Sequence, residues 1–212
     1  MIRKEGAKIL VPTFFICFLL LVFSSRPGWG VLWILFCCAF GFFLFSLWFF
    51  RDPNRLIPDN PNAVVCPADG KVVSIEVVED AFVGKCTRIA IFMSVVSVHV
   101  NRVPISGVVK NVEYIHGKFL SAFRPETSLE NEQNAISIEN ELLKIKVVQI
   151  AGIIARRIIS YVVVGDELKR GERFGMIQFG SRVEVFVPPT VRICVKSGEK
   201  VTSGETIIGE IL

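Results

Sequence analysis

The stretch Phe174-Gly175-Met176-Ile177-Gln178-Phe179-Gly180-Ser181-Arg182-Val183-Glu184-Val185-Phe186-Val187-Pro188 joins two apolar, strand-like runs at one Gly-Ser step. Glycine has no Cβ beside its carbonyl, so a neighbouring hydroxyl can approach closely and the bond can be held strained. Attack of the Ser181 hydroxyl on the Gly180 carbonyl would turn the amide into an ester. Elimination would then leave dehydroalanine, and hydrolysis a pyruvoyl group at a new N-terminus. An isolated glycine between strand-like runs also reads as a plain β-bulge. On this stretch alone both readings stand.

Outward from it the text is β-rich. Short runs such as Val72–Val78, Arg88–Met93, Val95–Val103, Val108–Tyr114, Leu142–Ile150 and Ile158–Val164 are separated by Gly, Asn, Pro and Asp. That cadence predicts an all-β sandwich or barrel. Gly165-Asp166-Glu167-Leu168-Lys169-Arg170-Gly171-Glu172 recurs 33 residues later as Gly198-Glu199-Lys200-Val201-Thr202-Ser203-Gly204-Glu205. Glycines at fixed offsets between apolar runs describe a repeated tight hairpin. Biotinyl and lipoyl carrier domains share this cadence. The expected class is therefore mainly β, a barrel-sandwich-hybrid-like domain with an internal repeat.

The N-terminal fifty residues differ in kind. Mean hydropathy over the 212 residues is +0.53, and the excess lies here. Val31–Phe50 is uncharged and long enough to cross a bilayer; Ile9–Ser25 is a shorter candidate interrupted by Pro12. Arg3, Lys4 and Lys8 precede the pair, Arg51 and Arg55 follow it, and only Arg26 lies between. The positive-inside rule then places both ends in the cytoplasm. The expected layout is a membrane-anchoring hairpin over 1–50 (about 9–25 and 31–50), a Pro-rich linker over 51–63 and a β-rich domain over 64–212, on the cytoplasmic face of the cell membrane.

The six cysteines include no CxxC and no Cys/His cluster with metal spacing, so no metal is expected. A net charge of +4 suits an anionic membrane surface better than nucleic acid, which calls for a denser basic stripe. Of the two histidines, His99 sits in an apolar run beside Ser97 and Asn101, and His116 in a turn. Asp69 opens a strand in Pro67-Ala68-Asp69-Gly70-Lys71-Val72, by default a turn. Asp69, His99 and Ser181 nevertheless have the types of an acid–base–nucleophile set, with the carboxylate orienting the imidazole that takes the serine proton.

Pro67-Ala68-Asp69-Gly70-Lys71-Val72, Val98-His99-Val100-Asn101-Arg102, Gly117-Lys118-Phe119-Leu120, Glu130-Asn131-Glu132 and Gly175–Arg182, together with Phe50-Arg51-Asp52-Pro53, resemble phosphatidylserine decarboxylases of the short, membrane-anchored form. The blocks occur in the same order over nearly the whole chain. The resemblance implies cleavage between Gly180 and Ser181 into chains 1–180 and 181–212, which stay together as a heterodimer. It also implies a pyruvoyl cofactor from Ser181, and Asp69 and His99 as catalytic residues. Ser97 stands where the family commonly carries an acidic residue, which leaves Asp69 as the partner of His99.

The substrate implied is phosphatidylserine in the bilayer, decarboxylated to phosphatidylethanolamine, with His99 reprotonating the carbon. Lys118 and Phe119 are candidates for an edge that meets lipid, and Arg156 and Arg157 for the lipid phosphate. Higher homo-oligomers are left open. The competing class is a non-enzymatic membrane adaptor or carrier with a lipoyl-like domain. An adaptor would carry a helical hairpin with sustained heptads, which this sequence lacks.

Overall fold

The computed structural model describes residues 2–24, 30–120, 130–152, 157–178 and 181–212. It divides into two compact units, Met1–Asn54 and Arg55–Leu212.

In the first unit a 3-10 turn at Lys4–Gly6 leads into α1 (Ala7–Ser24), and α2 spans Gly30–Phe49. Both helices are long and apolar enough to cross a membrane. Their aromatic and aliphatic side chains are largely exposed, Phe14, Phe15, Leu19, Ile34 and Trp48 among them. In water such a surface would be strongly unfavourable. The outer ends of the two helices meet: Ile2 bridges Arg51, the Arg3 amide donates to the Phe50 carbonyl at 3.0 Å, and the Arg3 guanidinium lies 3.6 Å from buried Asp52. The intervening Arg26 lies outside the described residues.

The second unit is built from antiparallel strands. These are β1 (Ala63–Val65), β2 (Gly70–Asp80), β3 (Gly84–Met93), β4 (Val100–Arg102), β5 (Gly107–Ile115), β6 (Gln133–Glu139), β7 (Lys144–Ile150), β8 (Arg157–Ser160), β9 (Glu167–Leu168), β10 (Arg173–Gln178), β11 (Ser181–Val187), β12 (Val191–Ile193), β13 (Lys200–Val201) and β14 (Ile207–Ile211). Eight form one curled sheet in the order β13-β2-β3-β11-β7-β6-β5-β9; β1-β14-β12 and β4-β10-β8 form two smaller sheets. The mainly β expectation therefore holds.

Alternation sets the two faces of the large sheet. Val183, Val185 and Val187 of β11 face inward with Ile89 and Ile91 of β3 and Ile145 and Val147 of β7, all within one buried cluster. Each such side chain contributes about 1.5–3 kcal/mol by leaving water. Arg182, Glu184 and Phe186 face the other way.

The run expected to be one strand over Val95–Val103 is shorter. Ser94–Ser97 closes a turn, with the Ser97 amide donating to the Ser94 carbonyl at 2.9 Å, and pairing begins only at Val100. The stretch 55–63 is pinned rather than loose, because the Arg170 guanidinium donates to the carbonyls of Pro58, Asn60 and Ala63.

The repeated hairpins occupy the two opposite edges of the large sheet, β9 beside β5 and β13 beside β2. A second repeat answers them: Cys66-Pro67-Ala68-Asp69-Gly70-Lys71-Val72 recurs as Val103-Pro104-Ile105-Ser106-Gly107-Val108-Val109. The Gly198 amide donates to the Val72 carbonyl as the Gly165 amide does to Val109, at 2.8 and 2.9 Å. The Gly204 amide donates to Cys66 as Gly171 does to Val103, at 2.7 and 2.8 Å. These four turn glycines hold φ of 78° to 96°, a region that favours glycine.

Candidate active site

β10 and β11 belong to different sheets, so the chain passes from one sheet to another across the Gly-Ser step instead of running through it as one strand. Phe179 and Gly180 lie outside the described residues. Ser181 is the first residue of β11 and is wholly buried. It pairs with Met93 of β3, and its Oγ donates toward the Met93 sulfur at 3.4 Å.

His99 immediately precedes β4 and is also wholly buried. Its carbonyl accepts the Ile177 amide at 3.2 Å, which ties it to the strand leading into the Gly-Ser step. Its Nδ1 lies 2.9 Å from the Ser97 carbonyl. A carbonyl oxygen can only accept, so Nδ1 carries the proton and Nε2 is the basic nitrogen of the neutral ring. The ring is thus held through Nδ1 by the Ser97 backbone oxygen.

Asp69 sits in the corner between β1 and β2. Arg55 Nη2 donates to both its oxygens at 2.9 and 2.8 Å, and the Ser203 amide donates to Oδ1 at 2.8 Å. These bonds go to Arg55 and Ser203, not to His99. The neighbouring Pro67 carbonyl accepts from the Arg102 amide (2.9 Å), the Ser203 hydroxyl (3.0 Å) and Asn101 Nδ2 (3.4 Å). The Asp69 corner and the His99 strand are joined through that one oxygen.

Sequence reasoning gave Asn101, Met93, Gln149 and Arg55 no role in the site. Asn101 Nδ2 also reaches the Met93 sulfur at 3.7 Å, the atom that Ser181 touches. Its Oδ1 accepts from Gln149 Nε2 at 2.8 Å, and Gln149 Oε1 accepts from Asn134 at 2.9 Å. All three amides are buried, so each bond is worth more than at the surface and the chain fixes the Asn101 orientation. Asn101 lay inside the Val98–Arg102 block; its neutral amide gave no sign of chemistry.

Lys118 is exposed and pairs with Glu130 at 2.8 Å, while Phe119 packs on the core. Asn131 locks the two blocks together by accepting from the Leu120 amide and donating to the carbonyls of Leu120 and Ala151. Tyr114 donates to Glu132, and burial together with that carboxylate pushes the phenol up to about 12. Arg157 is exposed and opposite Gln178; Arg156 lies outside the described residues. His116 is exposed against the Tyr114 ring. Among the described residues no group of three or more His, Cys, Asp or Glu could hold a metal ion.

Comparison with known proteins agrees with these blocks. The family profile described as phosphatidylserine decarboxylase matches residues 42–209. A phosphatidylserine decarboxylase proenzyme of Cupriavidus pinatubonensis is 44% identical over 216 residues, covering 100% of this chain and 95% of its own. One from Chlorobaculum tepidum is 42% identical, covering 99% and 97%. One from Carboxydothermus hydrogenoformans is 47% identical over 176 residues, covering 82% and 83%.

Proposed function

The chain belongs to the phosphatidylserine decarboxylase family, and from that premise we propose that it matures by cutting its own backbone at Gly180-Ser181. It is a decarboxylase proenzyme of phospholipid biosynthesis, converting phosphatidylserine to phosphatidylethanolamine.

In the cutting step His99 Nε2 takes the Ser181 hydroxyl proton as Oγ bonds to the Gly180 carbonyl carbon. The C–N bond then breaks, the proton passes to the Ser181 nitrogen, and an ester remains. Loss of the residue 181 Cα proton expels the Gly180 carboxylate and leaves dehydroalanine. Water replaces the nitrogen as ammonia, which yields the pyruvoyl terminus. Chains 1–180 and 181–212 remain together as a heterodimer. The observation that carries this reading is the buried Ser181 at the head of β11, on the same sulfur as Asn101, with the His99 carbonyl bonded to the strand entering the step.

The site fits the group it would make. Its atoms are those of residue 181 itself, and Met93 and Asn101 around them offer no nucleophile toward a ketone and one N–H donor. Once formed, that group would supply an electrophilic carbonyl for the substrate amine and a sink for the electrons left by departing CO₂. His99 returns a proton to the carbon that lost CO₂. Asp69, held by Arg55 and Ser203, supplies the negative charge that steadies the imidazolium.

The two helices anchor the enzyme, with both ends of the hairpin and the catalytic unit on the cytoplasmic side. Lys118 and Phe119 are the proposed edge that meets lipid, and exposed Arg157 is the proposed partner of the lipid phosphate, with Arg156, its companion in that reading, outside the described residues. The paired corners and turns at the two sheet edges support a barrel-sandwich hybrid as the architecture of the β unit. Ser181→Ala should remain a single 212-residue chain on denaturing gels and release no CO₂ from phosphatidylserine. Two chains from that variant would overturn the cleavage reading.

A further inference from the structure

Three carboxamides make a polar line on the inner face of the large sheet. Asn134 pairs with Gln149 and Gln149 with Val183, which shares its face of β11 with Ser181. Asn134, Gln149 and Asn101 are at most 2% exposed, and a buried polar side chain costs stability unless its bonds are made. The direction of the line is fixed at its Asn101 end. Pro67 offers only a carbonyl there, so the Asn101 atom facing it at 3.4 Å is the Nδ2 donor. Oδ1 then accepts from Gln149 Nε2, and Gln149 Oε1 from Asn134 Nδ2.

The donor that ends the line is poorly used. The Pro67 carbonyl already accepts from the Arg102 amide and the Ser203 hydroxyl, at 2.9 and 3.0 Å. The other contact of Asn101 Nδ2 is the Met93 sulfur at 3.7 Å, a weak acceptor that also takes Ser181 Oγ at 3.4 Å. One sulfur thus brings the amide donor and the serine hydroxyl together. An N–H with only long bonds, held by two further amides in a buried interior, gains most from an oxygen that becomes negative beside it. Gly175 leaves the room for this arrangement. It lies opposite Asn101 on β10, the strand leading to the Gly-Ser step, and a Cβ there would come within 2.8 Å of Gln149 Nε2.

We propose that Asn101 Nδ2 is the oxyanion donor of self-cleavage, with Gln149 and Asn134 as the residues that position it. As Ser181 Oγ bonds to the Gly180 carbonyl carbon, the C=O electron pair moves onto the oxygen, and the Asn101 N–H bonds to that oxygen. When the C–N bond breaks, the pair returns to make the ester carbonyl and Asn101 is left unchanged. His99 handles the proton of the step and Asn101 its charge. This role presupposes cleavage at Gly180-Ser181.

The test follows cutting of the full-length chain on denaturing gels, from its cell-free synthesis in detergent micelles. Asn101→Leu, of similar volume and without a donor, should cut about 100- to 1,000-fold more slowly, the scale of one lost oxyanion donor. Asn101→Asp keeps an acceptor for Gln149 and puts an oxygen where the donor was, and it should be slowed as much. Chemical unfolding against the uncut Ser181→Ala chain shows whether each variant is folded; if Asn101→Leu is not, the nearly isosteric Asp variant decides. Gln149→Met should slow cutting about tenfold in the unmutated chain and not at all beside an Asn101 variant, because Gln149 acts through Asn101. Losses of packing alone would instead add. Cutting of a folded Asn101 variant at the unmutated rate would overturn the donor, and equal slowing by Gln149→Met in both backgrounds would overturn its positioning. An unmutated chain that stays whole would overturn the cleavage reading itself, and the donor role with it.

Discussion

Asp69 and Ser106 occupy equivalent corners of the molecule, and they do different work. Each accepts an amide from the repeated hairpin at its edge of the sheet, Asp69 from Ser203 at 2.8 Å and Ser106 from Arg170 at 2.9 Å. Each precedes a glycine pressed against a carbonyl: a Cβ on Gly70 would lie 2.2 Å from the Phe92 oxygen, and one on Gly107 2.6 Å from that of Glu139. What the two corners share is what the fold needs. What they do not share is the carboxylate with its Arg55 partner, and the Lys71–Lys200 pair in place of Val108–Glu167. These differences gather on the edge that Asp69 occupies, which sets chemistry apart from scaffold.

The largest effect should come from erasing that difference. Asp69→Ser, which copies the other corner, should slow appearance of the two chains by a thousandfold or more, on the order seen when an acid–base–nucleophile set loses a member. Ser106→Asp should leave the cleavage rate unchanged, measured as a time course on denaturing gels. Equal loss in both variants would mean that the corners are merely structural. Gly70→Ala and Gly107→Ala should each destabilise by about 1–3 kcal/mol in chemical unfolding, because a methyl must displace backbone at either edge. A large cost at only one would break the equivalence. Lys200→Glu, which imports the charge of Glu167 opposite Lys71, should raise stability by about 0.2–1 kcal/mol in the same unfolding assay. Last, Cys66 stands where the other corner has Val103. Burial pushes its thiol up to about 12, with the Asp69 charge adding to the rise. The thiolate is the reactive form, so maleimide near neutral pH should label exposed Cys194 and spare Cys66.

Much of this was legible in the sequence, for definable reasons. The apolar helices, the β cadence and the 33-residue repeat are periodic signals, and periodicity survives without coordinates. Ser181, His99 and Asp69 stood out because their side chains carry reactive groups. The Cys66–Val72 and Val103–Val109 correspondence was hidden because only Pro, Gly and the final Val are shared, and the hydrogen bonds that equate them reach across the sheet. His99 seemed to need a carboxylate, yet a turn at Ser94–Ser97 turns a backbone carbonyl toward it. Arg55 read only as a flanking charge of the membrane segment, and in the structure it holds Asp69. No local pattern reports a partner 14 residues away across a proline-rich stretch.

The central claim is that the corner bearing Asp69 serves a backbone that cuts itself. Intact-mass analysis of the purified full-length chain tests it most directly. The account predicts two polypeptides ending and beginning at Gly180 and Ser181, the smaller with a blocked, carbonyl-bearing N-terminus that reacts with hydrazine. A single uncut chain with an unmodified Ser181 that still decarboxylates phosphatidylserine would contradict it.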